Sequence, residues 1–598
     1  MIYLQLVVTI CGELALVESQ TRGCLCCGRL SVLGHISANA DGGVGGDGNN
    51  ADLVGLPLLG DVAGASEAPV KGFCALFDAL IVGNTITDGN ALECAAGDLG
   101  ANSFTVLVVV KLNRGLATVI LNPRPRDLTD HPVSVMVKKN DIIDLTIEDL
   151  GVNGEGIGKV DGYTLFVKDG VIGDKVTVKV MKANKNFGFA RLMEIKEPSK
   201  DRVSPRCSVA RKCGGCQIQC INYKEQLRFK KNKVYNNLVR IGGQSDFVMN
   251  EVIGMDEPFN YRNKSQFPIG ADKEGNIISG FFAGRTHSII NIESCDLGLK
   301  IDGRDVNREV MDVVKAFMVQ YGIKPYNEVT HKGLVRHVLI RIGAKTKQIM
   351  VCVIINGKNL PNKEKLTEEL CKLEGMYSIS LNINTKKSNV ILGDKVINLY
   401  GPGYIEDYIG DVKFRISPLS FFQVNPVQTE KLYNKALEYA DLTGNEMVWD
   451  LYCGIGSISL FLAKKAKQVL GVEIVPEAIA DAKINAKING INNAEFFVGA
   501  AEDVVTEYFE NHKDDEECKP DVIVVDPPRK GCDHKLLETI VEMNPERVVY
   551  VSCDSATLAR DVKWLSENGY KLKEVTPCDM FGQTTHVECV VALHRVDM

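Results

Sequence analysis

A chain of 598 residues, 45% hydrophobic and 24% charged, has the composition of a soluble globular protein of about three or four domains. No apolar run is long enough to span a bilayer, and the opening MIYLQLVVTICGELALV has no basic start and carries Glu13, so neither a membrane partner nor a signal peptide is expected and a cytoplasmic location is. Nineteen cysteines, an odd number in an acidic chain of net charge −7, argue against a disulfide framework and for metal ligation or catalysis.

Residues 1–135 differ from the rest. They hold 18 of the 55 glycines, two lysines (Lys71 and Lys111) and six cysteines without metal-type spacing. The expectation is that the native product starts at Met136 and that this segment is disordered or mis-assigned translation. Residues 136–197 read as short alternating strands broken by glycine turns, with a hairpin at Asp161-Gly162 in VDGYTLFV. About five strands in about 60 residues suggest a small OB-like β-barrel, a fold that often binds oligonucleotides and otherwise serves as a cap.

Residues 198–415 form a central α/β region. It opens with a cysteine cluster and a basic helical stretch, YKEQLRFKKNKVYNNLVRI, and continues with strands such as HVLIRI and QIMVCVIIN. Across residues 181–240 there are 15 Lys or Arg against 4 Asp or Glu, which suits either phosphate binding or a solvated basic face. In residues 416–598 helices alternate with the apolar runs MVWDLYC, QVLGVEIV, DVIVVDPP, RVVYVSC and VECVVALHRV. That alternation predicts a mostly parallel, doubly wound α/β sheet of Rossmann type.

VWDLYCGIGSISLFLA runs from a strand through Gly454 and Gly456 into a helix, and Glu473 ends the following strand, where a carboxylate can accept from ribose hydroxyls. A dinucleotide or S-adenosylmethionine would suit this layout. Ser459 stands where a dinucleotide fingerprint has its third glycine, and VVDPPRKGCD puts Asp526 at a strand end with Pro527-Pro528 as a rigid rim. Both features favour S-adenosylmethionine.

An Asp-Pro-Pro element often serves exocyclic amines, which attack the methyl group directly. Carbon-5 of a pyrimidine is inert until a thiolate adds to C6, and a base must then remove the C5 proton. VVYVSCDSATLARD places Cys553 at the end of the strand after Asp526, and DMFGQTTHVECVVALHRV offers Glu588 as the base. His586 reads as an orienting or core residue, and Cys553 alone could be inert packing.

SFFQVNP, DLYCGIGSISL, DPPRKG, YVSCDSATLARD and DMFGQTTHVE together resemble the S-adenosylmethionine-dependent RNA (uracil-C5-)-methyltransferases. The likeness covers residues 136–598. It implies that Gln423, Tyr452, Glu473 and Asp526 bind the cofactor, that Cys553 is the nucleophile and that Glu588 is the proton acceptor. It further implies a TRAM-type barrel and resembles the branch acting on 23S ribosomal RNA, with the tRNA T-loop as the second candidate substrate. A catalytically silent RNA-binding or assembly protein is the rival from another class.

Cys207-x5-Cys213-Gly-Gly-Cys216 brings three thiols close together, with Cys220 or Cys295 as a fourth. The pattern alone fits an iron–sulfur cluster or a structural zinc ion. The resemblance selects Cys295 and a [4Fe–4S] cluster with a structural role. Arg262 and Lys264 in YRNKSQFPIG are expected to contact phosphate or to support the fold.

Overall fold

The computed structural model describes residues 137–284, 286–512 and 519–596 in full. The chain divides into two compact units, Met1–Val133 and Ser134–Met598. In the first only the course of short strands is described, for example Ile2–Ile10 antiparallel to Glu13–Arg22. The remainder of residues 1–136 lies outside the described residues, and with it the expectation of disorder or mis-assigned translation.

The second unit begins with six strands: β1 (Ile142–Thr146), β2 (Asp149–Leu150), β3 (Gly156–Val160), β4 (Tyr163–Lys168), β5 (Lys175–Ala183) and β6 (Phe187–Glu197). Their order is β1-β5-β6-β4-β3-β2. Alternation in KVTVKVMKA points Val176, Val178 and Val180 inward, where they meet Leu165 and Val167 in one core. The β3–β4 hairpin turns on Asp161 (φ 46°) and Gly162 (φ 81°), two left-handed residues in succession as a type I′ turn demands.

Helix α1 (Tyr223–Arg240) follows the cysteine-rich loop, its first turn capped by Asn222, which accepts from the Glu225 amide. The central sheet comprises β8 (Lys264–Ala271), β9 (Ile277–Phe282), β10 (Ile289–Asn291), β11 (Val335–Ile342), β12 (Ile349–Ile355), β13 (Met376–Ile383) and β14 (Lys395–Tyr400), in the order β10-β9-β8-β11-β12-β13-β14. Strands β11 and β12 are buried along their whole length because α2 (Val306–Gln320) covers one face with Val306, Val310, Val314 and Phe317.

The largest sheet takes its first strand from the short β7 (Val248–Met249), and the separate hairpin β15 (Ile405–Ile409)–β16 (Val412–Ile416) precedes the rest of it in the chain. Its remaining strands are β17 (Met447–Leu451), β18 (Gln468–Glu473), β19 (Ala494–Val498), β20 (Val522–Val525), β21 (Arg547–Ser552), β22 (Tyr570–Cys578) and β23 (Glu588–Arg595). The order is β7-β22-β23-β21-β20-β17-β18-β19. Strands β17 to β21 run parallel, whereas β23 is antiparallel to both its neighbours. Two hydrophobic cores, one on each face, make the sheet doubly wound. The order reverses between β17 and β20, which opens a crevice at the carboxyl ends of those strands, as in Rossmann-like folds. Among the described residues no helix is long and apolar enough to cross a membrane.

Candidate active site at the carboxyl edge of the sheet

Strand register lines up the candidate residues. Leu451 of β17 pairs with Val472 of β18 and with Val525 of β20. One step further along, Glu473, Tyr452 and Asp526 stand in a row across three neighbouring strand ends. Ser552 of β21 pairs with Cys589 of β23, so the next step sets Cys553 opposite Glu588. Opposed Cα atoms in antiparallel strands lie about 5 Å apart, within reach of two side chains acting on one ring.

The turn after β17 is tight. Tyr452 (φ 73°), Gly454 (φ 55°) and Gly456 (φ 79°) are all left-handed. A Cβ on Gly456 would crowd the Phe496 ring at 3.1 Å, on top of the strain of φ 79°, whereas the same position on Gly454 faces open space. The Gly454 amide donates to Glu473 Oε2 at 3.2 Å and the Val475 amide to Oε1 at 3.0 Å, so the loop aims the carboxylate. An open glycine backbone beside an oriented carboxylate suits a nucleoside. Gln423 is buried just ahead of α3 (Pro426–Ala440), and its carbonyl accepts from Asn263 Nδ2 at 3.0 Å.

Cys553 is the first of two residues between β21 and α4 (Ser555–Glu567), whose cap Asp554 accepts from the Ala556 and Thr557 amides. Burial, then Glu588 and Asp526, push the Cys553 thiol up to about 11, while Arg529 opposes the shift. Glu588 is raised to about 8, chiefly by burial and then by Asp526, again against Arg529. Asp526 rises to about 7 through burial and the nearby Asp450. Three acids sharing a low-dielectric site cannot all ionise at once, which keeps a proton acceptor of moderate strength beside a thiol. His586 is depressed to about 4 by burial and surrounding cations and is neutral at neutral pH.

Two further residues of this site lie in the motifs DLYCGIGSISL and DPPRKG, which do not by themselves set these two apart. Asp450, fully buried in β17, accepts from Ser459 Oγ at 2.5 Å, and its Oδ1 has no partner among the described residues. Burial lifts its carboxyl to about 7. Arg529 is exposed on the DPPRKG rim and acts electrostatically on Cys553, Glu588 and His586 together. Its reach over three groups does not show along the chain, because convergence of field is a tertiary property.

The cysteines separate into two settings. Cys207, Cys213, Cys216 and Cys295 line one cavity of about 250 Å³, together with Arg262 and Lys264. Cys220 instead packs with Val171, Ile218 and Ile221, its Sγ directed at the Asp169 carbonyl at 3.8 Å. Burial raises the Cys216 thiol to about 12 and Cys295 to about 11. Among the described residues no three His, Cys, Asp or Glu side chains form a group that could hold a metal ion.

The family model described as tRNA (uracil-5-)-methyltransferase matches residues 302–596, and that of the TRAM domain matches residues 137–193. A relative from Clostridium acetobutylicum described as an uncharacterized RNA methyltransferase is 50% identical over 466 residues, 77% of this chain and 99% of its own. One from Bacillus cereus with the same description is 51% identical over 462 residues, 77% of this chain and 98% of its own. Among solved structures, the tRNA (uracil-54, C5)-methyltransferase of Pyrococcus abyssi in complex with S-adenosyl-L-homocysteine is 30% identical, with a TM-score of 0.61 over 75% of this chain and 100% of that one.

Proposed function

Because the chain belongs to the RNA (uracil-5-)-methyltransferase family, we propose that it transfers a methyl group from S-adenosylmethionine to C5 of a uridine in RNA through a covalent bond between Cys553 and C6. The observation that carries the mechanism is the register setting Cys553 opposite Glu588, one strand from Asp526.

S-adenosylmethionine, when bound, supplies the electrophilic methyl group. Glu473 holds the ribose hydroxyls, with Gly454 leaving room for the ligand, and Tyr452, Asp526 and Gln423 line the remainder of its site. Cys553 Sγ adds to C6, and the C5=C6 electron pair moves toward the C4 carbonyl oxygen as an enolate. C5 then captures the methyl group as the donor's S–CH3 bond breaks, its electron pair staying on the donor sulfur. Glu588 takes the C5 proton, the C5–H electron pair restores the double bond, and the S–C6 bond breaks with its electrons returning to sulfur. A carboxylate raised toward neutrality is suited to both accepting and surrendering that proton. A base in a folded RNA must leave its stack to reach this edge.

Ribosomal 23S RNA is the substrate we favour, supported by the barrel and the four-cysteine cavity, which the resemblance associates with that branch. A tRNA T-loop uridine is the second reading, supported by the description of the matching family model as tRNA (uracil-5-)-methyltransferase. We infer a [4Fe–4S] cluster rather than zinc at Cys207, Cys213, Cys216 and Cys295: no three of these thiols are gathered around a single ion, whereas the cavity of about 250 Å³ that they line leaves room for a multi-atom group, and no step above needs its electrons.

RNA containing 5-fluorouridine, whose C5 carries no removable proton, should become trapped on the enzyme through Cys553 when the methyl donor is present. No trapped species would overturn the covalent route. Nucleoside mapping of ribosomal RNA and tRNA from cells with and without the gene decides the substrate.

A further inference from the structure

The loop between β22 and β23, residues 579–587, leads directly into Glu588. Glu588 is 3% exposed, so its carboxylate is enclosed by the protein on nearly every side. Its aim is therefore set by the packing of what surrounds it, and the loop is the chain that delivers it.

That loop is held by one stripe of α1. Tyr223 OH donates to Asp579 Oδ2 at 2.8 Å. Gln226 donates from Nε2 to Gln583 Oε1 at 3.0 Å and accepts from the Gln583 amide at 3.2 Å. Lys230 Nζ, fully buried, lies 2.5 Å from Asp579 Oδ1 and 2.9 Å from the Phe581 carbonyl. Lys233 Nζ donates to the Thr585 carbonyl at 3.0 Å. Positions 223, 226, 230 and 233 follow the spacing of a single helix face. The amides of Gln217 and Ile218, directly after Cys216, both meet the Gln583 carbonyl, at 3.1 and 3.3 Å.

Two features separate this clasp from ordinary packing. A fully buried Lys–Asp pair contributes little net stability compared with apolar residues of the same volume, so stability alone is a weak reason for it. Gln583 has φ 69°, a left-handed conformation that a side-chain-bearing residue adopts only where its surroundings over-determine it. Its N–H, its carbonyl and its side-chain oxygen are all engaged by the segment 217–226.

We propose that Tyr223, Gln226, Lys230 and Lys233 are positioning residues for proton removal: they hold the 579–587 loop so that Glu588 faces the C5 proton of a uridine bonded to Cys553. Part of the basic stretch thus points inward at the catalytic loop. The inference rests on Glu588 being the base. Loosening the clasp slows the last step while sulfur addition and methyl capture proceed, so the methylated RNA–protein adduct accumulates.

The test uses the full chain, uridine-containing substrate RNA and S-adenosylmethionine. Gln226→Met cuts both bonds to Gln583 with little change in volume. The double variant Lys230→Met/Asp579→Leu removes the ion pair and leaves no buried charge unpaired. Each is expected to lower kcat by about ten- to a hundredfold, the scale of a small misplacement of a reacting group, with KM for RNA within about twofold. Each should also accumulate adduct on a denaturing gel, and Gln226→Glu, which keeps an acceptor for the Gln583 amide, should restore much of the rate. Folded variants with wild-type kcat and no extra adduct would overturn the proposal. So would a fall in kcat and melting temperature together without adduct, the signature of fold support alone. Glu588→Gln is the control. Adduct in Glu588→Gln but not in the α1 variants sinks this inference alone, whereas none in Glu588→Gln sinks the assignment of the base and this inference with it.

Discussion

The carboxyl edge of the large sheet and the cysteine cavity of the central region are both built from residues far apart in sequence, by different means. At the sheet edge, parallel and antiparallel ladders set the positions of Glu473, Tyr452, Asp526, Cys553 and Glu588 by register, so each residue's place follows from which strand it ends. In the cavity, Cys207, Cys213 and Cys216 come from an irregular loop and Cys295 from another turn beyond β10. The backbone there is tied by isolated contacts, such as the Cys213–Ala283 bridge. A ladder over-determines its site before any ligand arrives. A loop site depends more on its ligand for the same order.

The sharpest way to break this comparison is at the thiol. Cys553→Ala should lower turnover by about 10⁴-fold or more and abolish the RNA adduct while leaving S-adenosylmethionine binding by calorimetry unchanged. Residual methylation near the wild-type rate would remove the covalent route. Next comes Glu588→Gln, with a loss of about 10²- to 10⁴-fold in kcat and a stable adduct. Unimpaired turnover without adduct would take Glu588 out of the role. Glu473→Ala is expected to raise KM for S-adenosylmethionine by about tenfold or more, the cost of a charged hydrogen-bond acceptor, with KM for RNA little changed.

Cys295→Ser separates the two regions. Iron content and the visible absorbance of the purified protein should fall and the melting temperature with them, while kcat drops less than in the Cys553 and Glu588 variants. Unchanged iron and melting temperature would exclude Cys295 as a ligand. The smallest effect is on stability against pH. Glu588 holds its proton up to about 8 in the fold, against 4.5 for an unperturbed glutamate. Between those values the folded chain keeps a proton that the unfolded chain has released, so its stability falls as pH rises through the window. Glu588→Gln removes that dependence. At pH 7 the variant should be more stable than the wild type by roughly 3 kcal/mol, and the gain should vanish toward pH 4.5 in thermal melts. A gain independent of pH would contradict the raised pKa.

Particular strands show how far the sequence could be read. MVWDL, VIVV and RVVYVS are short apolar runs because the sheet buries both their faces, and each is legible as a strand without other information. AEFFV at the sheet edge is half exposed and polar enough to hide, and YKLKEVTPC carries three charges and a proline. The Asp161-Gly162 hairpin was legible because its turn chemistry is local. The barrel's parallel β4–β6 pair was not, because it joins residues separated by β5.

The amino-acid sequence by itself determined the helix–strand alternation of a doubly wound sheet, the strand ends bearing Glu473, Asp526 and Cys553, and Glu588 at the approach to the last strand. Such features follow from hydrophobic periodicity and turn residues, which act over a few positions. Tertiary structure alone decided that Cys220 turns into an apolar cluster while Cys295 faces the other thiols, and that Asp450 shares the field of the site. It also decided that Lys230 and Lys233 reach inward from a helix whose composition reads as a basic surface. Burial and electrostatic coupling depend on distances in space, and no spacing along the chain encodes them.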